Sequence, residues 1–391
     1  MKLNCYKNND RINNSRVLMY STYFPPQYSG AAMQSISLAL HLKKLGYRVE
    51  FVTIKDIGSP EFDVVQGFPV YRIEAAGRRN KEYPFWLNLL RFSWRNRHRF
   101  DICHSHGAYY MNSVIGPIAK ICKWKSVAKA SLTHSDFSGL KKSPVGHLHF
   151  SFLKMIDAYV AISQGLQEEI RKTGLPEKKL HYIPNGVDTN RFHPPLISEK
   201  RELRKTLDLP RNKIIALTVG VFDMRKNLGW LIEQWTKNPS FFQEFFLLAV
   251  GPQSREDKGG AFLRTLHQTA EENKTNVRIL GYTPDIERLY KAADLFILPS
   301  QNEGLPNALL EAMASGLPCL ASRVSGSTDL IEEGANGFTF AHGNFQEFHT
   351  KLFKILNDNN HHMGKMSRLK IVKDFALTTI ARKYHQLYQS L

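Results

Sequence analysis

Cysteine is scarce in this chain: four in 391 residues, at Cys5, Cys103, Cys122 and Cys319. No two of them form a Cys-x-x-Cys pair, which speaks against a zinc site and against a disulfide framework and fits a reducing cytoplasm. No run of about 18 apolar residues occurs, so no membrane-spanning helix is expected. The stretch from Met1 to Ser15 is polar and Asn-rich and has no apolar core like that of a secretory signal peptide. Short-period repeats and low-complexity segments are missing. There is no helix-turn-helix, zinc or RNA-binding motif, so a nucleic-acid partner is not expected.

What is present is enough for two ordinary globular domains. Hydrophobic residues make up 42% and charged residues 23%, a usual balance for packed cores with solvated surfaces. The net charge is +18, from 53 Lys+Arg against 35 Asp+Glu. A surplus of that size favours anionic partners. Much of it is concentrated between Gly77 and Phe100, where Arg78, Arg79, Lys81, Arg91, Arg95, Arg97 and Arg99 alternate with aromatic and aliphatic residues. Such a stretch suits an anionic membrane surface, and it equally suits an amphipathic helix with its apolar face on a sheet. Arg91, Arg95 and Arg99 repeat every four residues, so one long helix would align them.

Strand and helix signals alternate along the chain. Val17–Tyr20 reads as a strand, Pro25–Gly30 as a turn, and Ala31–Leu45 as a helix stopped by Gly46. Further strands are expected at 48–54, 102–103, 126–132, 158–162 and 180–183. The pattern breaks between Asn185 and Arg204, where Asn-Gly and Pro-Pro mark a loop. It then restarts with strands at 214–219, 245–250, 277–280, 295–298, 318–321 and 337–340, and ends in helical sequence over 345–391. Alternation of this kind predicts parallel sheets covered on both faces. Two such units in one chain predict a cleft, because ligands of these sheets bind beyond the carboxyl ends of the strands.

The strongest local signal is Glu303-Gly-Leu-Pro-Asn-Ala-Leu-Leu-Glu311-Ala-Met-Ala-Ser-Gly316. It follows a strand and opens a helix, with Pro306 suited to the first turn. Free N–H groups at that helix start can hold a phosphate. Glu303 would stand just before the helix and Glu311 about a turn and a half inside it.

This segment resembles the Glu-x7-Glu motif of retaining glycosyltransferases of family 4. Other pieces occur in the family's order: Tyr28-Ser-Gly-Ala31, Asp101-Ile-Cys-His-Ser-His106, Thr133-His134, Ala161-Ile-Ser163, Ile183-Pro-Asn-Gly-Val-Asp188, Val219-Gly220 with Arg225-Lys226, and Gly281-Tyr282. The resemblance runs from about Val17 to Phe340. It implies a GT-B fold, an α/β architecture of two Rossmann-like domains facing across a cleft. It implies transfer of a sugar from a nucleoside diphosphate sugar, UDP- or GDP-linked, to a hydroxyl acceptor with retention at the anomeric carbon. By the resemblance, Arg225 and Lys226 hold the donor diphosphate, Glu311 the ribose, and Glu303 the donor sugar. His134 approaches the reacting carbon, and His106 is similarly placed. Gly30 lets the backbone approach a phosphate, Asn185-Gly186 forms a hinge or cleft rim, Tyr282 borders the base, and Asn307 joins the donor-binding set. Two departures stand out. Val221 occupies the place where many members carry arginine, so that Lys226 matches by spacing and Arg225 is its neighbour. The usual Gly-rich turn is reduced to Gly251-Pro-Gln-Ser254. No Asp-x-Asp pair occurs, so a metal-dependent variant has no obvious ligand set, and no cofactor besides the donor is expected.

The expected organisation is an acceptor-side domain over 1–190, a nucleotide-sugar domain over 191–374, and a helix over 375–391 returning to the first. The expected partners are a nucleotide sugar, a glycan or lipid-linked acceptor and an anionic membrane surface, with the protein cytoplasmic and peripheral on the inner face of the cell membrane. A nucleotide-sugar epimerase of the same fold and an inactive scaffold are the alternatives.

Overall fold

The computed structural model describes residues 14–56, 58–75, 82–107, 111–133, 136–141, 145–257, 259–271, 276–357 and 360–391. Its first sheet contains β1 (Arg16–Tyr20), β2 (Arg48–Ile54), β3 (Phe62–Val65), β4 (Phe68–Ile73), β5 (Ile102–His106), β6 (Lys125–Lys129), β7 (Ala158–Ala161) and β8 (Leu180–Tyr182). Their order is β3-β4-β2-β1-β5-β6-β7-β8, and all pairs are parallel except β3 with β4. The second sheet contains β9 (Ile214–Val219), β10 (Phe245–Val250), β11 (Val277–Leu280), β12 (Leu295–Leu298), β13 (Cys319–Ser322) and β14 (Gly337–Phe340). It runs β11-β10-β9-β12-β13-β14, entirely parallel. Helices cover both faces of each sheet, which is why central strands such as Phe245-Phe-Leu-Leu-Ala-Val250 are apolar without alternation and buried throughout.

In both sheets the order reverses beside the first strand, at β1/β5 and at β9/β12. Crevices open at such points beyond the carboxyl ends of the strands, and the two crevices face one another. The chain crosses between the halves twice, side by side. Val187 N–H donates to the Phe375 carbonyl at 2.9 Å and Leu377 N–H donates to the Val187 carbonyl at 3.0 Å. After the second crossing the helix Leu377–Ser390 packs on the helix Gly30–Lys44, and its Ile380, Ala381, Tyr384, Leu387 and Tyr388 complete the core that contains Val17, Met19, Ile36 and Val160.

Three expectations need correction. The hairpin β3–β4 was not expected; its two-residue turn, Gln66-Gly67, has positive φ at both positions (50° and 78°), the geometry that tight hairpins require. The segment 185–204, expected as loop, contains much of a helix, Ile197–Thr206, which buries no residue and therefore carries no apolar period to read. The arginine repeat does not lie on one helix. The helix Glu82–Arg95 ends before Arg99, whose guanidinium pairs instead with Glu50 at 3.0 Å and with the Tyr71 hydroxyl at 3.0 Å. Arg78, Arg79 and Lys81 lie outside the described residues. Among the described residues no helix is long and apolar enough to cross a membrane.

Candidate active site

Beyond β9 the backbone makes a close approach that only glycine allows: a Cβ on Gly251 would lie 1.7 Å from the Gly220 carbonyl oxygen. The loop then closes into a single 3-10 turn, Met224–Lys226. Asp223 caps it, accepting from Lys226 N–H at 2.9 Å, and Asn227 leaves it in the left-handed region with φ 55°. Gln301 N–H donates to the Arg225 carbonyl at 2.8 Å, which fixes this turn to the loop after β12. Arg225 and Lys226 are thereby aimed at Glu303. Lys226 Nζ donates to Glu303 Oε1 at 2.6 Å, and Arg225 Nη1 lies 3.4 Å from Oε2 and 3.0 Å from the Asn302 carbonyl. Glu303 is 5% exposed. Burial pushes its carboxyl up, but Lys226 and Arg225 outweigh burial and hold it below the ordinary carboxylate range.

The helix Asn307–Ala314 starts a few residues on. Pro306 precedes it and offers no side-chain cap, so the first N–H groups are left for water or an anion. Asn307 instead spans the cleft: its Nδ2 donates to the Gly30 carbonyl at 3.3 Å, and its Oδ1 accepts from Asn185 Nδ2 at 3.0 Å. One turn further Glu311 accepts from the Tyr290 hydroxyl at 2.9 Å. Burial lifts its carboxyl to about 7, and the Tyr290 hydrogen bond offsets only part of that rise.

The halves touch around this point. Thr133 Oγ1 donates to Asn302 Oδ1 at 2.5 Å, and Asn302 Nδ2 donates back to the Thr133 carbonyl at 3.2 Å. Gly304 lies against Ser131 so closely that a Cβ would meet the Ser131 carbonyl oxygen at 1.9 Å. Two cavities of about 450 Å³ each open from the seam and share Tyr28, Gln34, Val219, Gly220, Asn307 and Glu311. One runs out to Tyr282, which is exposed and faces Tyr28 across the cleft with ring centroids 5.8 Å apart. The other holds Gly30, His106, Lys129, Arg225, Lys226 and Glu303.

Gly30, Arg225, Lys226, Glu303, Asn307 and Glu311 are thus brought together, with Tyr282 at the far end of the adjoining cavity. His134 lies outside the described residues. Val221 lines the second cavity and carries no charge; the guanidinium present there belongs to Arg225. Sequence reasoning missed Tyr290 and Asn302, whose contacts span 21 and 169 residues, and Lys129, the last residue of the short strand Lys-Ser-Val-Ala-Lys.

Two Rossmann-like halves facing across a cleft, with a carboxylate held by two cations beside an open helix start, give the chain the GT-B architecture. The model for Glycosyltransferase Family 4 matches residues 28–191 and that for Glycosyl transferases group 1 matches residues 199–370. The chain belongs to the family 4 glycosyltransferases. It is similar to UDP-Gal:alpha-D-GlcNAc-diphosphoundecaprenol alpha-1,3-galactosyltransferase of Escherichia coli, at 27% identity over 75% of this chain and 76% of that one. It is also similar to mannosylfructose-phosphate synthase of Agrobacterium fabrum, at 28% identity over 78% and 73%. Among solved structures it superposes on Anabaena HepE in complex with UDP and glucose, with a TM-score of 0.80 at 20% identity, over 97% of this chain and 100% of that one. Sucrose-phosphate synthase from Thermosynechococcus elongatus gives 0.78 at 21% identity, over 96% and 99%.

Proposed function

We propose that this glycosyltransferase moves a sugar from a nucleoside diphosphate sugar to a hydroxyl of a glycan or lipid-linked acceptor, with retention and without a metal. One observation carries the reading: the half-buried cations Arg225 and Lys226 close on the buried Glu303 carboxylate at the open start of the helix Asn307–Ala314. A donor diphosphate entering there meets two fixed cations and free N–H groups, which stabilise charge as it develops on the departing phosphate. The bond from the anomeric carbon to the β-phosphate oxygen breaks and a bond to the acceptor oxygen forms on the same face. The acceptor proton passes to the departing phosphate. Glu303, released from part of its ion pairing, accepts hydrogen bonds from the sugar hydroxyls, and Glu311 accepts from the ribose. No cofactor beyond the donor is required. Uridine is the first base to test, because the E. coli relative is named for UDP-Gal and the HepE structure holds UDP; GDP is the second.

The N-terminal half fits a peripheral site on the inner face of the cell membrane. On the helix Glu82–Arg95, Leu87 and Trp94 are exposed beside Arg91 and Arg95, and the Arg97 guanidinium lies 4.3 Å from the Trp94 ring centroid. Apolar side chains flanked by arginines suit an anionic interface.

Thermal unfolding with a panel of UDP- and GDP-sugars tests the donor, since a ligand at 100 times its Kd adds about 2.7 kcal/mol. NMR of the product's anomeric proton then reads the stereochemistry. Sugar turnover without any acceptor would point to an epimerase, and nucleotide binding without turnover to a scaffold.

A further inference from the structure

The same cleft holds a cation that the donor reading does not use. Lys129 ends β6 in register with His106 of β5. It is 4% exposed, yet it lines the cavity that also contains Gly30, Arg225, Lys226 and Glu303. Among the described residues no carboxylate bears on its charge. His104 and His106 lie on the same face of the sheet, and Tyr384 of the C-terminal helix places its ring centroid 5.9 Å from Lys129 Nζ. His106 is 1% exposed, and both its ring nitrogens lack a hydrogen-bond partner among the described residues, as do the Tyr384 hydroxyl and Asn185 Oδ1. Burial lowers the Lys129 ammonium to about 7, with no carboxylate of the described residues counteracting it. Its charge in turn helps to keep the two histidines neutral, with burial the larger cause. A neutral imidazole still offers one N–H donor.

Buried charges in folded proteins are ordinarily paired. Here the ammonium and the unpartnered imidazole converge on one cavity wall and leave the pairing to a ligand. Arg225 and Lys226 stand on the opposite domain, where the donor diphosphate is proposed to bind.

We propose that Lys129 and His106 form an acceptor subsite for an oxyanion of the phosphate class, so that the substrate glycosylated here carries a phosphate group. This rests on the proposed use of the cleft, with the donor on the C-terminal side. Lys129 and His106 then act as specificity residues, pairing with the acceptor phosphate while its hydroxyl faces the donor.

Calorimetry with inorganic phosphate, in protein saturated with UDP, tests it. Wild type should bind phosphate as a second event. Lys129→Met should weaken that event at least tenfold, Lys129→Arg should retain most of it, and both should bind UDP within about twofold of wild type. Should Lys129→Met fail to fold, acylation of the unaltered protein near neutral pH, mapped by peptide mass spectrometry, gives the same information. Phosphate should slow modification of Lys129 relative to surface lysines. Undiminished phosphate binding in Lys129→Met, absence of any phosphate binding above the UDP event, or an unchanged acylation rate would overturn the subsite. Loss of UDP binding with phosphate protection of Lys129 intact would count against the donor reading alone.

Discussion

Lys226 Nζ lies 2.6 Å from Glu303 Oε1, and both side chains are largely shielded from solvent, at 16% and 7% exposure. The pair joins the first turn after β9 to the loop after β12, so one contact ties the cation proposed for the donor diphosphate to the carboxylate proposed for the donor sugar.

Removing one member should therefore do two things. Lys226→Ala should weaken UDP binding by roughly tenfold to a hundredfold, the loss of one charge-assisted contact of about 1.5–3 kcal/mol. It should also lower stability by roughly 1–3 kcal/mol, because Glu303 stays buried with Arg225 as its remaining cation. Adding Glu303→Gln should restore much of the stability and none of the affinity. Urea unfolding and calorimetry with UDP separate the two effects, and equal affinity in wild type and Lys226→Ala would remove Lys226 from the donor site.

The two glutamates should respond to pH in opposite senses. Glu311 lies at about 7 in the folded protein against an ordinary 4.5, so its contribution to stability is complete below about 4.5 and disappears as pH rises through about 7. Glu303 is held below its ordinary 4.5, so its contribution is present above that value and is lost as pH falls through the lowered one. Wild type should lose stability relative to Glu311→Gln between about pH 4.5 and 7 and then level off. UDP binding should tighten over the same range if the ionised carboxylate holds the ribose, and Glu311→Gln should flatten that profile. Parallel stability curves for wild type and Glu311→Gln would show that Glu311 is not displaced from its ordinary range.

Gly304 offers a test of the seam. A Cβ there meets the Ser131 carbonyl oxygen at 1.9 Å, far inside van der Waals contact, so Gly304→Ala must push the halves apart. Transfer activity should fall at least tenfold, because a displacement of about 1 Å near the reacting groups costs that much or more. UDP affinity should change far less, since Arg225, Lys226 and Glu311 all sit on one half. Steady-state rates beside UDP calorimetry check this, and a fully active Gly304→Ala would mean that the contact seen here is not needed for turnover.

Membrane contact should depend on Arg91 and Arg95 and not on Arg99, which is held by Glu50 and Tyr71. Each basic residue near an anionic surface contributes about 1 kcal/mol, and salt screens it over roughly 8–10 Å. Replacing Arg91 and Arg95 with Gln should reduce sedimentation with anionic vesicles at low salt, while Arg99→Gln should leave it nearly unchanged. Vesicle binding by the double variant equal to that of wild type would place the contact elsewhere.

The parallel sheets were legible because stretches such as Phe245–Val250 are apolar without interruption, and because Pro306 and the spacing from Glu303 to Glu311 mark a helix start after a strand. The signal failed where it depends on contacts distant in sequence. Nothing near Tyr290 announces that its hydroxyl will reach Glu311, and nothing near Thr133 names Asn302 as its partner. Lys129 reads in sequence as a polar strand end, and its burial between His106 and Val160 of the neighbouring strands, with Tyr384 of the helix Leu377–Ser390 beside it, is not announced there. The helix Ile197–Thr206 escaped because none of its residues is fully buried and only Leu203 packs against the core. The β3–β4 hairpin was in principle readable from Gln66-Gly67 between two apolar runs.

The packing of Leu377–Ser390 on the helix Gly30–Lys44 also bears on synthesis. Residues 16–182 supply every strand of the first sheet, yet Tyr384 and Tyr388 fill the space over His104 only after the whole second half has been made. Domains ordinarily fold in order of emergence from the ribosome. In this chain the first half must wait with one face open, and the second half folds in between. The face of the sheet at His104 is therefore covered last, when the helix docks.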